Sequence, residues 1–393
     1  MNEEKENGGR EEFKRACYVQ WLMACPDLPG KVQRRIMECF PDPEEIFTVP
    51  RDRWEEMLSE YQMAVLWKRL RETGNFGKMQ EEYERLRSLG ISFAMLGQAE
   101  YPERLKEIPD APLGIYYKGK MPGDQDMAVA VIGSRDCSEY GCRVAKALGT
   151  YLGECRIPVI SGMARGIDGI SQQAALEAGG ESYGILGCGV DVCYPASNRR
   201  LYDTLTMQGG ILSTYPPGTK PLARNFPPRN RIVSGLSMAI VVVEAAVKSG
   251  TSITVSMALE QGREVYVVPG RITDRLSEGC NQLIKQGAAV YTDPEHFVEE
   301  LSETFFLQRI SPAGSKKKGK KAAMEPQVRE ELLDVWRALD LTPRSVEEIR
   351  MRMVSGGKAE ETAADAQSIS VRLMELALNG HAKQVSAGCF CRQ

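Results

Sequence analysis

Five short apolar runs spaced through the middle of the chain constrain its fold more than any other feature. They are Met127–Ile132, Ile157–Ile160, Ser182–Leu186, Ala239–Val243 and Val265–Val268. Each is short for a core helix, and segments of helical length separate them. Strands apolar on both faces must be covered on both faces, and strands that alternate with helices run parallel. The expected core is therefore an α/β, Rossmann-like, doubly wound parallel sheet over residues 90–305.

The flanks read differently. Residues 1 to about 10 are polar and are expected to lack order. Over residues 11–80 the apolar positions fall at helical spacing, interrupted by Pro26, Pro29-Gly30, Pro41 and Pro43, which describes a small helical domain. Leu28-Pro29-Gly30-Lys31 ahead of a helix resembles a helix-hairpin-helix or sterile-alpha-motif unit. Such hairpins can hold phosphate on backbone N–H groups, and small helical modules equally serve as packing units. Residues 306–326 hold the basic run Lys316-Lys317-Lys318-Gly319-Lys320-Lys321 and read as a tether. Across 327–393, three helical patterns and an alternating segment from Ala382 to Phe390 predict a winged helix. Its third helix carries Asp365, Arg372 and Glu375, so protein contact is as good a reading there as duplex DNA.

Charge and cysteine usage narrow the function. With 50 Lys and Arg against 53 Asp and Glu the net charge is −3, so an anionic polymer would have to meet a local patch. Between Arg199 and Gly235 stand six cations (Arg199, Arg200, Lys220, Arg224, Arg229, Arg231) and one acid, Asp203. The 11 cysteines form no Cys-x-x-Cys pair, and His296 and His381, the two histidines, lie apart from them. Reduced, structural thiols are expected, with no metal. No apolar stretch is of signal or membrane-spanning type, so the expected compartment is the cytoplasm, with no membrane partner.

In an open parallel sheet the ligand site lies beyond the carboxyl ends of the strands. Here those ends run into Gly133-Ser134-Arg135, into Ser161-Gly162-Met163-Ala164 and on to Asp168, into Gly187-Cys188-Gly189-Val190-Asp191, and into Glu244 through Lys248-Ser249-Gly250-Thr251. Glycines admit an anion to backbone N–H groups, and the following helix N-terminus favours negative charge. Glycine also makes tight turns for geometric reasons alone. Four such loops on one edge favour a phosphate-bearing ligand. The dinucleotide fingerprint and the P-loop pattern are both absent, so no nucleotide cofactor is called for. Asp168, Asp191 and Glu244 are candidate carboxylates, but no acid–base pair with a nucleophile stands out.

The segment Tyr215 to Arg231 is stiffened by proline and carries Lys220, Arg224, Arg229 and Arg231 around Phe226. Cations can track a phosphodiester backbone and Phe226 can stack on an unpaired base. Arg229-Asn230-Arg231 opens a helix, and both guanidinium groups are expected to project towards the phosphate-binding edge. Phe226 as a core plug, with the arginines paired to surface acids, is the plainer alternative.

At these residues the chain resembles the DNA-processing protein A (DprA/Smf) family. The resemblance is carried by Gly133-Ser134-Arg135, Ser161 to Asp168, Leu186-Gly187-Cys188-Gly189-Val190-Asp191 with Tyr194-Pro195 and Asn198, and Phe226-Pro227-x-Arg229-Asn230-Arg231. Val243-Glu244-Ala245, Ser249-Gly250-Thr251 and Val268-Pro269-Gly270 extend it. The resemblance implies a dimeric, non-catalytic protein that binds incoming single-stranded DNA in natural transformation, protects it and helps load the RecA recombinase. It implies a DNA site made of Gly133, Ser134, Arg135, Ser161, Gly162, Met163, Ala164, Lys220, Arg224, Phe226, Arg229, Asn230, Arg231, Lys248, Ser249, Gly250 and Thr251. Two positions depart from the family pattern: Gln172 stands where a histidine is usual, and Thr214 where a glutamate is usual. A competing class, nucleoside-monophosphate phosphoribohydrolases on a related sheet, would need Pro-Gly-Gly-x-Gly-Thr, which Lys248-Ser249-Gly250-Thr251 does not supply.

Overall fold

The computed structural model describes residues 2–25, 28–42, 45–73, 75–124, 127–247, 249–305, 307, 328–340, 342–355 and 365–392. Contacts divide the chain into two compact units, Met1–Cys137 with Val144–Ala313, and Ser138–Arg143 with Gly314–Gln393.

The first unit begins with helices α1 (Asn2–Met23), α2 (Gly30–Cys39), α3 (Arg51–Glu55), α4 (Glu60–Thr73) and α5 (Phe76–Ser88). α1 thus starts inside the polar segment that composition alone marks as disordered. Strands β1 (Ser92–Met95) and β2 (Gly114–Gly119) follow, with α6 (Glu103–Lys106) between them. Then come β3 (Val129–Ile132), α7 (Glu139–Glu154), β4 (Val159–Ser161), α8 (Ile167–Glu177), β5 (Ser182–Ile185) and α9 (Arg199–Gln208). The unit closes with β6 (Gly209–Ser213), α10 (Phe226–Gly235), β7 (Ala239–Val242), α11 (Gly250–Glu260), β8 (Glu264–Val267), α12 (Glu278–Lys285), β9 (Ala289–Val290) and α13 (Pro294–Thr304).

The strands form one sheet in the order β1-β2-β6-β5-β4-β3-β7-β8-β9. From β6 to β9 every neighbouring pair is parallel. β2 runs antiparallel to both β1 and β6. The five apolar runs of the sequence are β3, β4, β5, β7 and β8, as a doubly wound α/β sheet requires. β6 escapes a search for apolar runs because it opens with Gly209-Gly210. A Cβ on Gly209 would sit 1.9 Å from the Ser182 carbonyl oxygen, so the tight approach to β5 demands glycine.

Successive side chains of a strand point to opposite faces, and two hydrophobic clusters result. One face holds Ile160, Ile185, Leu212, Val242 and Val255. Ile211, one residue before Leu212, turns to the other face and joins Met163, Leu205, Phe93 and Tyr116. That cluster continues without a break into Trp21, Ile36, Trp54 and Leu66 of the front helices. Trp21 Nε1 donates to Thr73 Oγ1 at 2.9 Å, and the Tyr116 hydroxyl to the Gln20 carbonyl at 3.2 Å, so these two buried polar atoms are satisfied.

The second unit contains α14 (Leu333–Ala338), β10 (Arg344–Ser345), α15 (Val346–Ser355), α16 (Ala366–Leu378), β11 (Ala382–Ser386) and β12 (Cys389–Arg392). Its sheet runs β10-β12-β11, antiparallel throughout. Val335, Trp336, Ile349, Ile369, Leu373 and Phe390 form its core. The charges of α16 are engaged inside the unit, Arg372 with Asp334 and Glu375 with Arg329. The expected basic tether, apart from Leu307, lies outside the described residues. Among the described residues no helix is long and apolar enough to cross a membrane.

Candidate nucleic-acid interface

The chain lays down β3, β4, β5 and β6 in one direction, then returns to place β7 on the other side of β3. The loops leaving the carboxyl ends on either side of that reversal diverge, and a crevice opens between them. It is a cleft of about 440 Å³. Gly133, Ser134 and Arg135 reach it from β3, Gly162 and Ala164 from β4, and Ser249, Gly250 and Thr251 from the N-terminal end of α11. Phe226, Arg229 and Asn230 close it from the first turn of α10. Residues far apart in sequence are thus gathered by topology alone.

The remaining expected site residues fall elsewhere. Ser161 is fully buried and its hydroxyl donates to the Val131 carbonyl at 2.6 Å. Met163 is fully buried as well, with φ at +53°. Lys220 is exposed on the loop after β6 and outside the cleft lining. Arg224 and Arg231 line a neighbouring groove, and Lys248 lies outside the described residues.

Arg229 and Arg231 do not project together towards the phosphate-binding edge. Residues two apart on a helix point about 200° apart, so one turns inward and the other away. Arg229 is only 5% exposed and donates to the Ile185 carbonyl at the end of β5. Arg231 donates to the Asp110 carbonyl. The Arg229 Nε is buried without a partner. A Cβ on Gly162 would stand 2.3 Å from Arg229 Nη1 and 2.7 Å from Asp168 Oδ2, so glycine here leaves room for a buried charge pair. Asp168 also accepts from the Gly162 N–H at 3.1 Å. Burial pushes the Asp168 carboxyl above its ordinary range, and the facing Arg229 charge opposes that rise. Burial likewise lowers the Arg229 guanidinium, opposed chiefly by Asp168.

Two further side chains hold the β4–α8 loop, and the sequence did not assign them that role. Gln172 Oε1 accepts from the Met163 N–H at 3.1 Å, while its amide donates to the Tyr183 carbonyl and the Ser182 hydroxyl. The departure at position 172 therefore carries a defined structural role. Asn198 Nδ2 donates to the carbonyls of Met163 and Ala164, at 3.0 and 3.2 Å. Gly166 adopts φ of +79°, where a Cβ would meet the Ser134 carbonyl oxygen at 2.3 Å. Asp191, another candidate carboxylate, accepts from the Gly218 N–H and pins the loop after β6. Thr214 lines the neighbouring groove.

Phe226 is half-buried and neither plugs the core nor stands free. Its ring is 5.6 Å from that of Tyr194, and the guanidinium carbons of Arg135 and Arg229 lie 5.7 and 5.9 Å from its centre. Tyr194 is 40% exposed; its position directly after the Gly187–Asp191 turn was the available signal for it. Arg135, Lys220 and Arg224 have no ion pair among the described residues, whereas Arg199 pairs with Asp203 at 3.2 Å. The 11 cysteines are free thiols, and burial pushes Cys188 and Cys280 each up to about 11. Among the described residues no group of acids, cysteines or histidines is placed to hold a metal ion.

A Rossmann-like sheet with a glycine-rich, cationic crevice at its topological switch point defines the class: an α/β protein whose site can receive anions beside an aromatic platform. The family described as DNA recombination-mediator protein A matches residues 92–302, and the chain belongs to that family. It is 43% identical over 194 residues to the DNA processing protein DprA of Streptococcus pneumoniae, covering 49% of this chain and 68% of that protein. It is 44% identical over 186 residues to Protein Smf of Escherichia coli, covering 47% and 50%. The X-ray structure of DNA processing protein A from Streptococcus pneumoniae superposes with a TM-score of 0.61 and 32% identity, over 72% of this chain and 97% of that one.

Proposed function

We propose that this protein is a DNA-processing protein that binds single-stranded DNA at the switch-point cleft and carries out no chemistry on it. The observation that carries the reading is the lining itself. The unpaired cation Arg135 and the glycine turns at Gly133 and Gly250 line the cleft together with Phe226, whose ring packs against Tyr194 outside it, so phosphate contacts and a stacking surface are offered side by side. The carboxylates nearby are engaged in the fold: Asp168 with Gly162 and Arg229, Glu244 buried and partnered. This supports a binding site over a hydrolase. The neighbouring relatives are named as DNA-processing proteins.

Carried over from the family resemblance, the wider reading has the protein protecting incoming DNA during natural transformation and loading RecA onto it as a homodimer, in the cytoplasm that the sequence leads one to expect. Val290 on the edge strand β9 is 43% exposed and offers a place for self-association. Residues 327–393 are read as a winged helix serving protein contact, and residues 11–80 as a helical domain of sterile-alpha-motif or helix-hairpin-helix type.

The test compares single-stranded and duplex oligonucleotides at several salt concentrations. Single strands should bind more tightly, with little base preference and a log–log salt slope of about 0.7 per phosphate contact. A duplex preference, or affinity independent of salt, contradicts the proposal.

A further inference from the structure

Beside the switch-point cleft lies a larger groove of about 750 Å³, walled by α2 on one side and by the segment from Thr214 to Arg231 on the other. Lys31 and Arg34 contribute charge from α2, and Arg224 and Arg231 from the opposite wall; among its described lining residues Asp110 is the sole acid. Arg34 and Arg231 each donate to a backbone carbonyl of the loop at Ala111 and Asp110, which fixes both guanidinium groups while leaving each with further donors. Lys31 is held loosely. Its side chain is 83% exposed and its ammonium stands 3.7 Å from the Asp110 carboxylate. The first turn of α2 carries no acid, and Pro29 supplies no side-chain cap, so the positive end of that helix is not offset from within its own first turn.

Groove and cleft are the two sides of one helix end. Asn225, Pro228 and Arg231 line the groove, while Phe226, Arg229 and Asn230 line the cleft. A flexible polyanion that leaves one passes over the start of α10 to enter the other. We infer that the groove holds the continuation of the single strand bound in the cleft, with Lys31 as a phosphate contact, so that the front helices are part of the nucleic-acid site. The inference rests on the proposed function and extends its footprint.

The experiment titrates the full-length parent, Lys31→Ala, Lys31→Glu and Arg135→Ala with oligothymidylates of about 6 and about 20 nucleotides, lengths chosen to fill one cleft or to run beyond it. Exposed Lys31 can be replaced without disturbing the core, which unchanged thermal melting verifies. On the long oligomer Lys31→Ala should bind about fivefold more weakly near 0.1 M salt, with a slope lower by about 0.7, and Lys31→Glu more weakly still. On the short oligomer both should match the parent, whereas Arg135→Ala should weaken both lengths. If the Lys31 variants bind the long oligomer like the parent while Arg135→Ala does not, the groove carries no DNA and the inference is overturned with the cleft reading intact. If the parent itself binds neither oligomer, both fall.

Discussion

Replacing Arg229 by methionine should damage the fold before it damages any contact with DNA. The side chain is 5% exposed, Asp168 beside it is 8% exposed, and the Ile185 carbonyl takes one of its N–H bonds. Methionine fills similar volume but leaves the carboxylate buried without its counter-charge. Breaking a buried pair in this way costs about 3–5 kcal/mol, which for a unit of this size lowers the melting temperature by on the order of 10 °C. The pH dependence supplies the signature. Burial already raises the folded Asp168 above its ordinary 3.8, so the native state binds more protons than the unfolded chain over that interval. Stability therefore falls as pH rises from the unfolded value through the folded one. Removing Arg229 takes away the opposing charge, lifts the folded value further and carries the loss to higher pH. The deficit of the variant relative to the parent should be largest near neutrality and shrink on acidification. Asp168→Asn in the Arg229→Met background removes the stranded charge, keeps an acceptor for the Gly162 N–H, and should recover most of the stability. Thermal melts of the three proteins across pH 4–8 make the measurement. If Arg229→Met melts like the parent and simply loses one phosphate's worth of salt slope, Arg229 is a DNA ligand and the anchor reading is wrong.

Phe226→Ala should lose on the order of 1–3 kcal/mol of single-strand affinity with an unchanged salt slope, whereas Arg135→Ala should flatten the slope by about 0.7; in anisotropy titrations, parent-like affinity for Phe226→Ala would misplace the platform, and a parent-like slope for Arg135→Ala would remove that phosphate contact. Gln172→Leu strands the buried Met163 N–H and should cost about 1–3 kcal/mol in chemical denaturation, with binding lost in parallel because the same loop lines the cleft. Gly166→Ala forces a side chain into φ of +79° against the Ser134 carbonyl and should destabilise the protein by more than about 1 kcal/mol; a neutral melting curve would contradict the geometry.

The sequence by itself determined the parallel core. Val129–Ile132, Val159–Ser161, Ser182–Ile185, Ala239–Val242 and Glu264–Val267 are read correctly because burial on both faces leaves a composition that needs no neighbour to interpret. That the loops at Gly133, Gly162 and Gly250 would come together was legible for the same reason, since a doubly wound sheet brings the carboxyl ends of its parallel strands to one edge. β1, β2, β6 and β9 were not legible. Their pairing depends on what lies beside them, as the Gly209 contact with Ser182 shows, and β9 is only two residues long. Tertiary structure alone decided how the cationic segment divides. One stretch of chain carries Arg224, Arg229 and Arg231, yet helical rotation sends Arg229 inward to Asp168 and Ile185, turns Arg231 to the Asp110 carbonyl, and leaves Arg224 in the groove beside α2. Charge in a sequence says that cations are near one another along the chain. Which of them meets solvent is settled by the direction of each Cα–Cβ bond and by partners more than forty residues away, and neither is written locally.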